Sequence, residues 1–504
     1  MKNNSIYKIK AYQKLGFIGL LIALFFFLGL YVVFFAWPEG YHFLRQTDSL
    51  SFASNYYNDG FNFFAPKLYN LKNIDGRAVC EFPITYYITA LSYTVFGKQI
   101  FILRIIHLLI IYMGVYYIFK LSMLVLKDFL YSLIIALFLF TSTIFNYYSF
   151  NYLPDIAALG FAFAGWYFIY KYSLDFRNKT AFIAFLFFTL GGLIKVTYMI
   201  NPLAVIFVYI LSYFTVYREI KNKKIIKYGI FSVLIVILWN VYVLYYNSKY
   251  QSNSFNTTIL PIWDLDKAGI KEVFNYMWKY WYSKYFAYSS FHLLAVLIAL
   301  QLVFIKRVNK RFAFALLIML FASISYFLLF YQQFKEHDYY FLAFMPFIIL
   351  IVINGIYTLD KLIKKAVFKW IIKIGLLVLV IAGINYSRLK IAERYTPWDD
   401  EYSKSALVIR DNIDDINKLK IPKEAKLIIA TDLTQNGALF FIDRMGWVIR
   451  KKEDITQDNI LNYKKKGADY LVLINPEKEQ LNTAKEFGTI VLNKADLKIL
   501  KLEK

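Results

Sequence analysis

The residues of this chain whose types could do chemistry sit where apolar runs end. After the run that closes at Trp37 comes HFLRQTDSLSFASNYYNDG (42–60), where His42, Arg45, Gln46 and Thr47 surround one carboxylate, Asp48. Three more polar points follow: Glu81 in EFPITYY, Asp155 in NYLPDIAALG, and EHDYY (336–340), with His337, Tyr339 and Tyr340. Carboxylates at a membrane edge are costly and tend to be functional. These positions are therefore candidates for the wall of one outward-facing cavity. Lys195, in GGLIKVT (191–197), is the cation that the span order puts near the outer edge within an apolar stretch. Read as an unpaired ammonium, it calls for a phosphate, or it snorkels to the interface.

Plainer readings stand beside these. Asp48 and Glu81 are good helix caps. Proline followed by an acid, as at Pro154–Asp155, starts a helix without any function. Tyr339 and Tyr340 suit an interfacial aromatic belt. The spacing of Leu50, Phe52, Ala53, Tyr56 and Tyr57 predicts a helix along the membrane surface, with Asp48 in its first turn. EFPITYYITALSYTVFG (81–97) repeats the design, with Pro83 near a helix start. The four histidines, His42, His107, His292 and His337, lack zinc spacing, and P-loop, GxSxG, HExxH and CxxC motifs are absent. Cys80 is the lone cysteine, so no intramolecular disulfide forms.

The elements that must position these residues are membrane helices. Of 504 residues, 59% are hydrophobic, in runs of about twenty that need lipid as solvent. Eleven runs read as spans: 16–36, 101–120, 129–147, 154–171, 180–194, 198–216, 228–246, 291–305, 313–331, 339–357 and 370–386. With the N-terminus inside, the inner segments carry 22 basic and 4 acidic residues, whereas the outer loop 37–100 carries five of each. The positive-inside rule thus places the N-terminus in the cytoplasm and the C-terminus outside. This topology also absorbs most of the net charge of +24, so nucleic acid is excluded as a partner.

Residues 1–386 are then a transmembrane domain with two large outer loops, 37–100 and 247–290. The tail, 387–504, has a soluble composition. KLIIATD (426–432), DYLVLI (469–474) and TIVLN (489–493) read as strands. ITQDNILNYKKKGA (455–468) reads as a helix capped by Thr456 or Asp458 and ended by Gly467. The tail is expected to be a small extracytoplasmic α/β domain without a phosphate-cradling glycine loop, serving as a lid or for acceptor docking.

In combination, HFLRQTDS (42–49), EFPITYYITALSYTVFG before LRIIHLL, LPD (153–155), GGLIKVT (191–197) and HDYY (337–340) resemble the GT-C superfamily of membrane glycosyltransferases. The likeness is to bacterial glycosyltransferase family 39, with protein O-mannosyltransferases and the lipid A aminoarabinose transferase as relatives. NGALFFIDRMGWVI (436–449) and KKGADYLVL in the tail also resemble tails of some of these proteins.

The resemblance implies GT-C architecture in a bacterial cell membrane. It implies transfer of one sugar from a polyprenyl-phosphate donor to a lipid, glycan or protein acceptor at the outer face. It makes Asp48 the catalytic base, since an attacking hydroxyl must lose a proton. It makes Lys195, Arg45, His337 and Tyr339 candidates for binding the donor phosphate, and Glu81, Asp155, Gln46 and Tyr340 for binding substrate or supporting a metal. One base without a second nucleophile implies inversion at the anomeric carbon. Relatives that modify lipid A often carry a basic residue before a Pro-Pro pair, where this chain has Glu81-Phe82-Pro83. Two roles stay open for Glu81: holding a divalent metal with Asp48 or Asp155, or binding acceptor hydroxyls. A polysaccharide polymerase or ligase is the competing enzyme reading. A lipid-linked glycan flippase is the competing transporter reading, but transporters usually show internal repeats, and none is found here.

Overall fold

The computed structural model describes residues 9–214, 223–255, 258–395 and 401–503. Parts of the predicted inner segments 1–15 and 217–227, of the run 198–216 and of the tail lie outside the described residues. The chain forms two compact units: Met1–Phe35, Arg104–Asn240 and Thr258–Glu393 build the first, and Ala36–Leu103, Val241–Thr257 and Arg394–Lys504 the second.

The first unit is helical. Among the described residues, five helices are long and apolar enough to cross a membrane: Phe101–Leu126, Lys224–Lys249, Lys310–Leu329, Asp338–Leu362 and Ala366–Tyr395. Counting each of two bent pairs as one span raises the number to seven: Phe129–Thr141 with Thr143–Ser149, bent by 85°, and Lys267–Tyr285 with Tyr288–Val303, bent by 92°. Other predicted spans fall on shorter apolar helices, Ala11–Phe27, Asn178–Ile194 and Val196–Leu211, or on Asp155–Asp175. The first bend lies at Ser142, which leaves the helical region and accepts a hydrogen bond from the Phe145 amide, starting a new helix.

Lys195 marks another break. Its backbone is extended (φ −147°, ψ 112°) between the helix Asn178–Ile194 and a 3₁₀ turn, Val196–Met199. Gly191 lets that helix end approach Asp155–Asp175: a Cβ there would lie 3.0 Å from the Ala158 carbonyl oxygen. The GGLIKVT stretch thus delivers Lys195 to the start of the neighbouring helix.

The second unit joins the loop 37–100 to the tail. Its five-stranded sheet comprises β1 (Lys426–Ala430), β2 (Gly446–Ile449), β3 (Ala468–Ile474), β4 (Gly488–Asn493) and β5 (Leu497–Leu502). The spatial order is β2-β1-β3-β5-β4. β1 runs parallel to β2 and β3, and β5 antiparallel to β3 and β4. Ile428, Leu471, Leu473 and Leu500 pack with Ile460 of the helix Gln457–Lys465 in the sheet's core. Thr456 caps that helix through Oγ1, and Gly467 beyond its end takes φ +93°. At the edge of the sheet, Gly446 donates to the Tyr69 carbonyl (3.0 Å) and accepts from the Leu71 amide (2.7 Å). Loop residues 69–71 therefore extend the sheet beyond β2. Only glycine fits at 446, because a Cβ would fall 2.1 Å from the Leu427 carbonyl oxygen.

Candidate active site

Asp48 lies on the helix Phe43–Asn58. This helix begins earlier than the sequence suggests, because His42 turns the chain in the left-handed region (φ 58°) and FLRQT is already helical. Asp48 is therefore in the second turn, not the first, and caps nothing. Its side chain is 16% exposed. The Asn436 amide donates to Asp48 Oδ1 at 3.1 Å and to Ser51 Oγ at 2.9 Å, while Asn436 Oδ1 accepts from the Tyr69 amide. Asn436 comes from the tail, just before the short helix Gly437–Ile442. Burial pushes the Asp48 carboxyl up to about 6; Arg45 and the Asn436 bond pull it down, and Glu81's charge raises it further.

Arg45 is one helical turn from Asp48, with Nη1 3.9 Å from Asp48 Oδ2. Its Nη2 donates to both oxygens of Glu81, at 2.9 and 3.0 Å, and its guanidinium lies 5.1 Å from the Phe255 ring centre. Nη1 is buried and has no hydrogen-bond partner among the described residues. Tyr86 donates to Glu81 and contacts the Ser49 hydroxyl at 3.1 Å. Burial and the charge of Glu81 push its phenol well up, so it stays a donor at neutral pH. Glu81 caps no helix; Pro83 takes that position. The Glu81 carboxylate is engaged by Arg45 and Tyr86. Among the described residues, no group of three or more His, Cys, Asp or Glu side chains could hold a metal ion. Gln46 is fully buried and donates to the Glu39 and Tyr41 carbonyls, tying down the turn before the helix.

The first unit assembles the second group. Lys195 Nζ is 3.1 Å from Asp155 Oδ1, so the expected unpaired cation is in fact an ion pair. The break at Lys195 turns its ammonium toward the first residue of the helix Asp155–Asp175. An anion at a helix start and a cation within a few ångströms stabilise each other. Tyr339 and Tyr340, in the 3₁₀ segment Asp338–Phe344, present their rings to the same ammonium, each 5.1 Å away. The His337 ring packs against both tyrosines, at 5.4 and 5.8 Å. Asp338, fully buried, accepts a 2.6 Å hydrogen bond from Tyr148 and fixes this segment. All nine predicted site residues thus fall in two groups, Asp48–Arg45–Glu81–Gln46 in the second unit and Lys195–Asp155–His337–Tyr339–Tyr340 in the first. Asn436, Tyr86 and Ser49 were not foreseen.

Residues 81–243 match the model of a family described as dolichyl-phosphate-mannose-protein mannosyltransferase. No curated protein matches the sequence. Among solved structures, ArnT from Cupriavidus metallidurans in its apo state superposes with a TM-score of 0.62 at 12% identity, covering 96% of this chain and 97% of ArnT. ArnT bound to undecaprenyl phosphate gives 0.63 at 11%, covering 96% and 98%. The Archaeoglobus fulgidus oligosaccharyltransferase in complex with Zn and sulfate gives 0.56 at 12%, covering 94% of this chain and 71% of that one. At these identities the likeness is one of fold.

Proposed function

From the GT-C fold that this chain shares with these membrane glycosyltransferases, we propose that it transfers a single sugar from a polyprenyl-phosphate donor to a hydroxyl at the outer face of a bacterial cell membrane. The acceptor is a lipid, a glycan or a protein. The observation that carries the reading is the Asp48 centre: a mostly buried carboxylate with a raised pKa, beside a buried Arg45 nitrogen without a hydrogen-bond partner among the described residues. ArnT, whose fold this is, has been captured with undecaprenyl phosphate, which supports a lipid-phosphate donor here.

In the proposed reaction the acceptor oxygen attacks the anomeric carbon while Asp48 accepts its proton. The bond from that carbon to the phosphate oxygen breaks, and the carrier phosphate leaves with the electron pair. A base with a pKa near 6 is largely ionised at neutral pH, yet basic enough to take a proton in the transition state. Arg45 Nη1 would donate to an acceptor oxygen next to Asp48, while Glu81 and Tyr86 hold the guanidinium in place. Attack with a single base and no covalent step inverts the anomeric centre. Lys195 is proposed to contact the donor phosphate, which would compete with Asp155 for its ammonium. The N-terminus is cytoplasmic and the C-terminus extracytoplasmic in this scheme.

The test uses purified protein, a polyprenyl-phosphate-sugar pool from the producing cells, and release of free polyprenyl phosphate as readout. Release that requires the protein and falls at least about a hundredfold in Asp48→Asn supports the reading. Wild-type release by the variant removes Asp48 as base.

A further inference from the structure

A pocket lies wholly within the second unit, at the sheet edge formed by β2. Its volume is about 330 Å³, and Trp447, Tyr463, Lys72, Arg450, Lys466 and Asn70 are among its lining residues. We propose that this pocket binds an acidic sugar unit, one or two rings bearing carboxylate groups.

Its construction follows from the strand order. Trp447 sits on β2, and Tyr463 on the helix Gln457–Lys465 that packs on the sheet; their ring centres are 5.5 Å apart and tilted by 30°. Together they give the cavity an aromatic wall. Arg450 follows β2 directly, and Lys466 follows the helix that carries Tyr463, with its ammonium 5.4 Å from that ring centre. Lys72 comes from the loop segment that extends the sheet. Its backbone amide donates to Asn70 Oδ1 at 2.8 Å, and the Asn70 amide donates to the Gln435 carbonyl at 2.6 Å, so the lysine is held at the rim.

Charge selects the ligand. Three cations line one cavity, no carboxylate lines it, and none of the three cations is in an ion pair among the described residues. Like charges gathered round a concavity repel one another and concentrate anions there. The aromatic wall argues against a bare anion, which has no apolar surface to set against ring faces. A sugar ring matches it: C–H bonds on one face for the aromatics, hydroxyls and carboxylates on the edge for Asn70 and the cations. The volume is at the low end for ligand pockets, about 300–1,000 Å³, which suits one or two rings. Asp48 is not among its lining residues, and the proposal stands whether or not the transfer reaction does.

The experiment is calorimetric titration of the full chain in detergent, without donor. The probes are trigalacturonate, of which one or two rings enter the pocket and the rest stays in solvent, its fully methyl-esterified neutral form, and inorganic phosphate. Trigalacturonate is expected to bind at least about tenfold more tightly than either of the others, given three charge contacts of modest strength each. The triple variant Lys72→Gln/Arg450→Gln/Lys466→Gln should lose that preference while melting at the wild-type temperature. Tyr463→Leu should weaken trigalacturonate and leave phosphate unchanged. Equal affinity for acid and ester, phosphate binding as tightly as trigalacturonate, or an unaffected triple variant would each overturn the assignment. The ester comparison uses wild-type protein, so the test survives a variant that misfolds.

Discussion

Replacing Asp48 by Asn should make the protein more stable at neutral pH while abolishing its activity. The carboxyl's folded pKa is about 6 against an ordinary 3.8, chiefly because burial disfavours the charged form. A raised carboxyl pKa means that the native state binds the proton more tightly than the unfolded chain. Its contribution is therefore most favourable below the unfolded value, declines as pH rises toward 6, and is lost above it. A shift of roughly two units corresponds to a penalty of about 3 kcal/mol for holding Asp48 ionised in the folded protein. Asn keeps an oxygen for the Asn436 amide and removes the charge. Melting midpoints of wild type and Asp48→Asn, measured in the same detergent from about pH 4 to about pH 7.5, should diverge, with the variant gaining on the wild type as pH rises. Curves that stay parallel, or a variant that loses ground toward neutral pH, would show that Asp48 is not held in a desolvated site.

Further outcomes follow from the same geometry. Glu81→Gln removes a charge that raises the Asp48 pKa and frees Arg45 to pair with Asp48, so the acid limb of the pH–rate profile should move to lower pH; an unmoved limb refutes the coupling. Lys195→Ala should raise the donor concentration needed for half-maximal transfer, and Lys195→Arg should restore it only in part because a planar fork replaces a compact ammonium. Unchanged donor dependence would leave Lys195 in a structural role beside Asp155, Tyr339 and Tyr340. A reporter active only outside the cytoplasm should be active when fused at Lys504 and silent after Lys223; the reverse pattern overturns the proposed orientation.

The site's chemistry was legible in residue types, and its pairings were not. Asp155 and Lys195 both stood out, but each was read alone. Nothing in the local sequence says that the chain at Lys195 is extended and lies against the start of the helix Asp155–Asp175. Arg45 and Glu81 are 36 positions apart in one loop, and only the packed fold makes them an ion pair. Asn436 opens the NGALFFIDRMGWVI stretch, but nothing in that stretch points to Asp48, 388 positions away. In the tail, β1, β3 and β4 were visible as short unbroken apolar runs. β2 is four residues long and starts at a glycine, and β5 interleaves Lys498 and Lys501 with apolar residues, so neither reads as a buried strand. The run 129–147 looked like one span because no proline or glycine interrupts it; Ser142 as a cap was the available clue.

The central claim is that Asp48 drives transfer of one sugar outside the cytoplasm. Mass spectrometry of envelope glycans, lipids and glycoproteins tests it most directly, on cells lacking the gene and complemented with wild type or with Asp48→Asn at equal expression. The expected result is a product heavier by a single sugar residue that is present with wild type and missing from both the deletion and the variant. A variant that restores this product in full, or a deletion that changes no glycan mass, would contradict it.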